Sequence, residues 1–138
     1  MIYLDSSAIL KLIVPEPESA ALFGFLAGQV RIPLVSSELA TVEVHRALTR
    51  MGKAPDDEQH TLADSVLADI DQLPLAPVIR TAALLPGRLR SLDALHVATA
   101  QQLPSVTSVV SYDQRLAEHV VAAGLRVDAP ASFVDEPE

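Results

Sequence analysis

Val106-Thr107-Ser108-Val109-Val110-Ser111, followed at once by Tyr112-Asp113-Gln114-Arg115-Leu116, is the stretch whose reading decides the fold. Its first half is apolar and β-branched, the composition of a strand buried on both faces. Its second half opens a helix predicted to run to Ala123, where Gly124 supplies a C-terminal cap before a last strand at 125–127. Outward from there the same alternation recurs. The run Ile2-Tyr3-Leu4 meets Asp5-Ser6-Ser7 and then seven mostly apolar residues, which predicts a buried strand ending at Asp5 and a helix capped by one of those polar residues. Pro15 and Pro17 stop that helix. A second helix is expected at 18–27 and a second strand at 31–35. Ser36-Ser37 then caps a long helix through Met51, with Ala40, Val44, Ala47, Leu48 and Met51 on one face. A helix over about 55–71 should turn Leu62, Val66, Leu67 and Ile70 inward. A short strand at 73–77, a short helix at 78–85 and an alanine-rich helix at 92–103 complete the order. Short apolar strands alternating with helices predict the α/β class: a three-layer α/β/α sandwich around a central parallel sheet of four to five short strands.

The 138 residues suit one domain, expected over 1–134, with an acidic tail at 135–138 expected to fray. Cysteine is absent, which excludes a disulfide scaffold, a cysteine-ligated zinc site and a thiol nucleophile, and fits a reducing cytoplasm. No apolar run reaches the length of a membrane span, and Met1-Ile2-Tyr3-Leu4-Asp5 lacks the basic region of a signal peptide. Ten Lys and Arg against eighteen Asp and Glu give a net charge of −8. A chain so acidic does not coat nucleic acid non-specifically, so any chemistry on nucleic acid must be local and must import positive charge. Aromatic residues make up 4% of the chain, which disfavours a base-stacking platform.

In open α/β sheets, sites form beyond the carboxyl ends of the strands. Asp5 and Asp113 stand there, each directly after a predicted strand. Asp93 falls in the first turn of a helix, and Glu43 lies mid-helix among apolar residues. Each also has an ordinary role available. Asp5 and Asp113 suit helix N-caps, Asp93 suits the macrodipole, and Glu43 could pair with Arg46 or Arg50 on a solvated face. Spacing alone does not make the four converge.

The local sequences around them are more specific. Leu4-Asp5-Ser6-Ser7-Ala8, Val42-Glu43-Val44-His45-Arg46-Ala47-Leu48, Leu92-Asp93-Ala94-Leu95-His96-Val97-Ala98-Thr99-Ala100 and Val110-Ser111-Tyr112-Asp113-Gln114-Arg115-Leu116 resemble, in order, the four acidic motifs of the PIN-domain family, and most closely its VapC-type toxins. Gly124-Leu125-Arg126-Val127 and the segment from Pro130 to Phe133 resemble the family's close. Ser111 stands where many relatives carry Thr, and both supply a hydroxyl. The resemblance implies that Asp5, Glu43, Asp93 and Asp113 share one pocket and carry a metal-dependent endoribonuclease activity. It also implies a homodimer, an RNA substrate, and a VapB-like antitoxin whose tail covers the site. Hard carboxylate oxygens select Mg²⁺ or Mn²⁺, and a divalent ion would offset their repulsion and supply the charge that phosphate needs. Asp5 and Asp93 are expected as direct ligands. Asp113 is expected as a ligand or water-mediated partner, and Glu43 as a ligand or the group that orients the attacking water.

Around these, Ser7 and Ser111 suit capping or a hydrogen bond to Asp5. His96, one turn after Asp93, could reach the site but reads first as a packing histidine. Lys11, Arg88, Arg90 and Arg115 are candidate phosphate contacts at the rim, and His45, His60 and His119 have no metal-ligand spacing. An alternative is a phosphoryl-transfer or non-catalytic α/β domain with an acidic pocket. A dehalogenase-type nucleophile wants a second Asp where Ser7 stands, a receiver wants a lysine after the late strand, and no phosphate-cradling glycine motif is present.

Overall fold

The computed structural model describes residues 1–131. The expected boundary at 134, the acidic tail and Phe133 lie outside the described residues. Among the described residues five short strands, β1 (Ile2–Leu4), β2 (Leu34–Ser37), β3 (Asp71–Leu73), β4 (Ser108–Val110) and β5 (Val127–Asp128), form one sheet in the order β3-β2-β1-β4-β5. Every neighbouring pair is parallel. The helices are α1 (Ser6–Lys11), α2 (Ser19–Ala27), α3 (Leu39–Arg50), α4 (Glu58–Ala68), α5 (Ile79–Ala83), α6 (Ser91–Gln101) and α7 (Gln114–Ala122).

Alternation along the strands builds the three layers. Ile2, Leu4 and Val110 pack with Ala8, Ile9, Leu22, Val44, Leu48 and Leu67, so α1 to α4 cover one face. Tyr3, Val35 and Val109 pack with Val97, Leu116 and Val120, so α6 and α7 cover the other. Full burial of a side chain such as Leu48 contributes about 1.5–3 kcal/mol. Gly124 adopts φ +85°, and the bonds Gly124 N–H to Val121 O and Leu125 N–H to Val120 O close α7 in the two-bond C-terminal motif expected of that glycine.

Several boundaries differ from the sequence expectation, each for a local reason. The second strand begins at Leu34, because residues 29–32 form a turn closed by Ile32 N–H on Gln29 O. Ser36 and Ser37 are therefore strand residues, although Ser37 Oγ still accepts the Leu39 amide at the start of α3. The third strand is the polar edge segment Asp71–Leu73, and Pro77 instead opens a 3₁₀ turn, Ala76–Val78. An edge strand needs no apolar run on both faces, so hydropathy misplaced it. The last strand sits at Val127–Asp128, and α4 is shorter than expected, with Asp57 as its cap and Leu62 turned outward. His60 and Ala63 fill the inward positions. Met51 is likewise exposed at the end of α3. Two histidines that sequence spacing left unrelated meet between α3 and α4: His45 and His60 face each other at 2.7 Å between Nδ1 atoms, and His45 Nε2 reaches Asp64 at 2.8 Å.

Candidate active site

The order of the sheet reverses between β1 and β4, since the chain builds β2 and β3 on one side of β1 and β4 and β5 on the other. That crevice, at the carboxyl ends of β1 and β4, is where open α/β sheets place their ligands. Asp5 stands in it. The end of β1 leads directly into α1, and Asp5 caps that helix: Oδ1 accepts the Ala8 amide at 2.9 Å and Ser7 Oγ at 2.6 Å. Its Oδ2 accepts from Ser111 Oγ at 2.5 Å, just beyond β4. Ser7 Oγ in turn accepts the Tyr112 amide, which ties the two strand ends together. Asp5 is buried. Burial pushes its carboxyl above the ordinary carboxylate range, and the bonds from Ser111, Ser7 and the Ala8 amide offset that only in part.

Asp113 is held next to this cluster. Its amide donates to Ser111 Oγ at 3.1 Å, and its Oδ1 caps α7 by accepting the amides of Arg115 and Leu116. Asp93 lies in the first turn of α6, where the helix dipole favours an anion. Its Oδ2 is buried and has no hydrogen-bond partner, although Arg90 Nε stands 3.5 Å away at ion-pair distance. Glu43, half-buried on α3, does not pair with an arginine: its Oε1 accepts from His96 Nε2 at 2.5 Å. His96 is buried on α6, and its Nδ1 meets Tyr3 Oη at 2.7 Å. Burial disfavours the charged imidazole, but the Glu43 carboxylate, Asp5 and Asp93 together outweigh it and hold the pKa above its ordinary value.

Asp5, Glu43 and Asp93 thus share the electrostatic surroundings of one buried imidazole, and Asp113 is joined to Asp5 through Ser111. Among the described residues, no group of three or more His, Asp and Glu side chains is arranged to hold an ion as it stands. Asp93 Oδ2 suits a hard divalent cation, being an anionic acceptor that receives no hydrogen bond among the described residues and has the Arg90 guanidinium at ion-pair distance.

The basic residues expected at the rim differ in their surroundings. Lys11 is engaged by Glu16 and Glu18, at 2.7 and 2.9 Å, and lies over the Tyr112 ring. Arg88 and Arg115 are exposed. Beside Glu43, however, a cleft of about 450 Å³ is lined by Ser7, Leu10, Val42, Leu92, Arg46 and Arg50. In the sequence these two arginines read only as partners for Glu43. Their place one and two turns beyond Glu43 on α3 was the available signal.

Fold and site together describe an open parallel sheet that presents carboxylates at its switch point. The PIN domain model matches residues 2–121, and the chain belongs to the PIN-domain family. Ribonuclease VapC35 of Mycobacterium tuberculosis is 44% identical over 135 residues, which cover 94% of this chain and 97% of that protein. Two solved structures share the fold. That of Mycobacterium tuberculosis VapC20, described as a Sarcin-Ricin loop cleaving toxin, has a TM-score of 0.69 at 15% identity, over 91% of this chain and 96% of its own. A toxin-antitoxin complex from Klebsiella pneumoniae has a TM-score of 0.66 at 16% identity, over 96% of this chain and 100% of its own. Divalent-metal dependence is general among PIN-domain ribonucleases of the VapC type. Among the described residues no helix is long and apolar enough to cross a membrane.

Proposed function

We propose that this chain is the toxin of a VapBC-like toxin–antitoxin pair and an endoribonuclease that hydrolyses RNA phosphodiester bonds in the cytoplasm. Asp5 and Asp93 would hold Mg²⁺ or Mn²⁺, with Asp113 and Glu43 completing the acidic site. What supports this reading is the buried Asp5 carboxylate at the switch point together with Asp93, whose Oδ2 receives no hydrogen bond among the described residues and has the Arg90 guanidinium at ion-pair distance. A divalent ion bound there supplies the positive charge that phosphate requires and activates water.

The chain's own residues do the rest. Ser7, Ser111 and the Ala8 amide orient Asp5, so the carboxylate needs no reorganisation during the reaction. Glu43 stands at the mouth of the cleft with one oxygen held by His96, placed to orient water. Arg46 and Arg50 offer phosphate contacts along the same cleft, in a chain whose overall charge repels RNA. An acidic site of this kind is silenced most simply by a cation, so the VapB-like antitoxin is expected to place an Arg or Lys beside Asp5 and Asp93. A second copy of the chain is expected to complete a homodimer.

Hydrolysis by activated water leaves 3′-hydroxyl and 5′-phosphate ends, because the ribose 2′-hydroxyl takes no part. Mapping of RNA ends after cleavage in Mg²⁺ or Mn²⁺ tests this. Cyclic 2′,3′-phosphate products, or full activity in EDTA, would refute it.

A further inference from the structure

His96 has the attributes of a working group, and the chemistry above uses only its contact with Glu43. It is 3% exposed, and both ring nitrogens are engaged, Nδ1 by Tyr3 Oη at 2.7 Å and Nε2 by Glu43 Oε1 at 2.5 Å. Tyr3 is completely buried and meets the imidazole edge-on, with the two rings at 80° and their centroids 5.9 Å apart. The three members come from different elements, and each element also carries a site residue. Tyr3 lies on β1 two residues before Asp5, His96 lies on α6 one turn after Asp93, and Glu43 is itself on α3. The line Tyr3–His96–Glu43 therefore fixes the relative placement of these elements at the mouth of the site, across both helical layers.

We propose that His96 is a positioning residue: clamped by Tyr3, it holds Glu43 by Oε1 and leaves Oε2 as the single carboxylate oxygen offered to the site. The proposal rests on the reading of Glu43 as part of a divalent-metal site. Its logic is that of supporting shells generally. A carboxylate with both oxygens free samples many rotamers and binding modes, whereas one held by a buried N–H donor presents one oxygen in one direction. An imidazole does this only if its ring cannot rotate, and the hydroxyl of Tyr3 prevents that rotation by occupying the other nitrogen. Neither Tyr3 nor His96 needs to touch RNA or metal. Both act through Glu43.

The test is Mn²⁺ binding to the full chain, followed by electron paramagnetic resonance at one fixed pH, beside steady-state RNA cleavage and a melting curve for each variant. His96→Leu removes both bonds, Tyr3→Phe removes only the clamp, and His96→Gln restores an N–H donor toward Glu43 and an acceptor toward Tyr3. Loss of a supporting residue typically weakens metal affinity about 10–100-fold. His96→Leu is expected in that range, with kcat falling and KM for RNA little changed, and Tyr3→Phe near its lower end. His96→Gln should recover affinity to within a few-fold of the parent. A folded His96→Leu protein that binds Mn²⁺ as the parent does overturns the proposal, and so does a His96→Gln protein as impaired as His96→Leu. If His96→Leu does not fold, Tyr3→Phe decides: unchanged Mn²⁺ affinity and kcat overturn the positioning role. A parent that binds no Mn²⁺ overturns the metal reading itself, and this proposal with it, which separates the two failures.

Discussion

Replacing Asp5 with Asn should stabilise the metal-free protein while abolishing its activity. Asp5 is 2% exposed, and its charge is answered by three short-range donors and no cation in direct contact. Asn retains the Oδ1 that accepts from Ser7 and the Ala8 amide. Its amide nitrogen then donates to Ser111 Oγ, whose own proton can turn to Asp113 O, 3.5 Å away. The hydrogen-bond inventory is nearly preserved, and the buried charge is gone. Because the folded pKa of Asp5 is raised by burial, the folded form holds a proton more readily than the unfolded chain. The stability this proton confers is fully present below the unfolded value, near 3.9, and is lost as pH rises through the higher folded value. Above that value the ionised parent carries a burial penalty that the Asn variant does not. The expected gain is about 0.5–2 kcal/mol, the usual scale for relieving a strained functional group. In a chain of this length that raises Tm by roughly 2–6 °C. The advantage should shrink as pH falls, because the parent's Asp5 becomes neutral too. Melting curves in EDTA at pH 7 and pH 4.5 read both effects. A variant destabilised at pH 7, or one whose advantage grows on acidification, would show that the buried charge of Asp5 costs the fold nothing.

Two further outcomes follow from the same geometry. Ser111→Ala removes the donor to Asp5 Oδ2 and the acceptor of the Asp113 amide, so urea denaturation should show a loss of about 1–3 kcal/mol, and less when Asp5 is already Asn. Arg46→Gln and Arg50→Gln should leave stability within about 0.5 kcal/mol of the parent, since both side chains are exposed. Each should weaken RNA binding and reduce the salt slope by about 1, measured on a protein inactivated by Asp93→Asn. An unchanged salt slope would take the RNA path away from α3.

Much of this protein is legible in its sequence where local composition and tertiary role coincide. The central strands β1 and β4 are apolar because both faces are covered, so Ile2-Tyr3-Leu4 and Ser108-Val109-Val110 announce themselves. The edge strand β3 begins with Asp71 and Gln72, which face solvent or a side-chain partner such as Thr41, and periodicity had nothing to detect. The acids were found by their motifs, yet their partners were not. Tyr3 within an apolar run reads as core, and His96 within an alanine-rich helix reads as packing. Both readings are correct as to burial and silent about Glu43, 53 residues away in the chain from His96. Likewise Glu43 followed by Arg46 looks like a helix-surface ion pair, and only the packing of α6 against the sheet shows that the carboxylate turns to His96 instead. Contacts of that range are set by topology, not by local pattern.

In the proposed site Asp5 and Asp93 jointly hold the catalytic ion. Anomalous diffraction from crystals soaked in Mn²⁺ tests it most directly. A peak is expected at the carboxyl ends of β1 and β4, with Asp93 Oδ2 within about 2.0–2.6 Å of it, Asp5 contributing to the same ion, and the peak lost in Asp93→Asn. A peak elsewhere in crystals of active protein, or a peak that survives in Asp93→Asn, would contradict it.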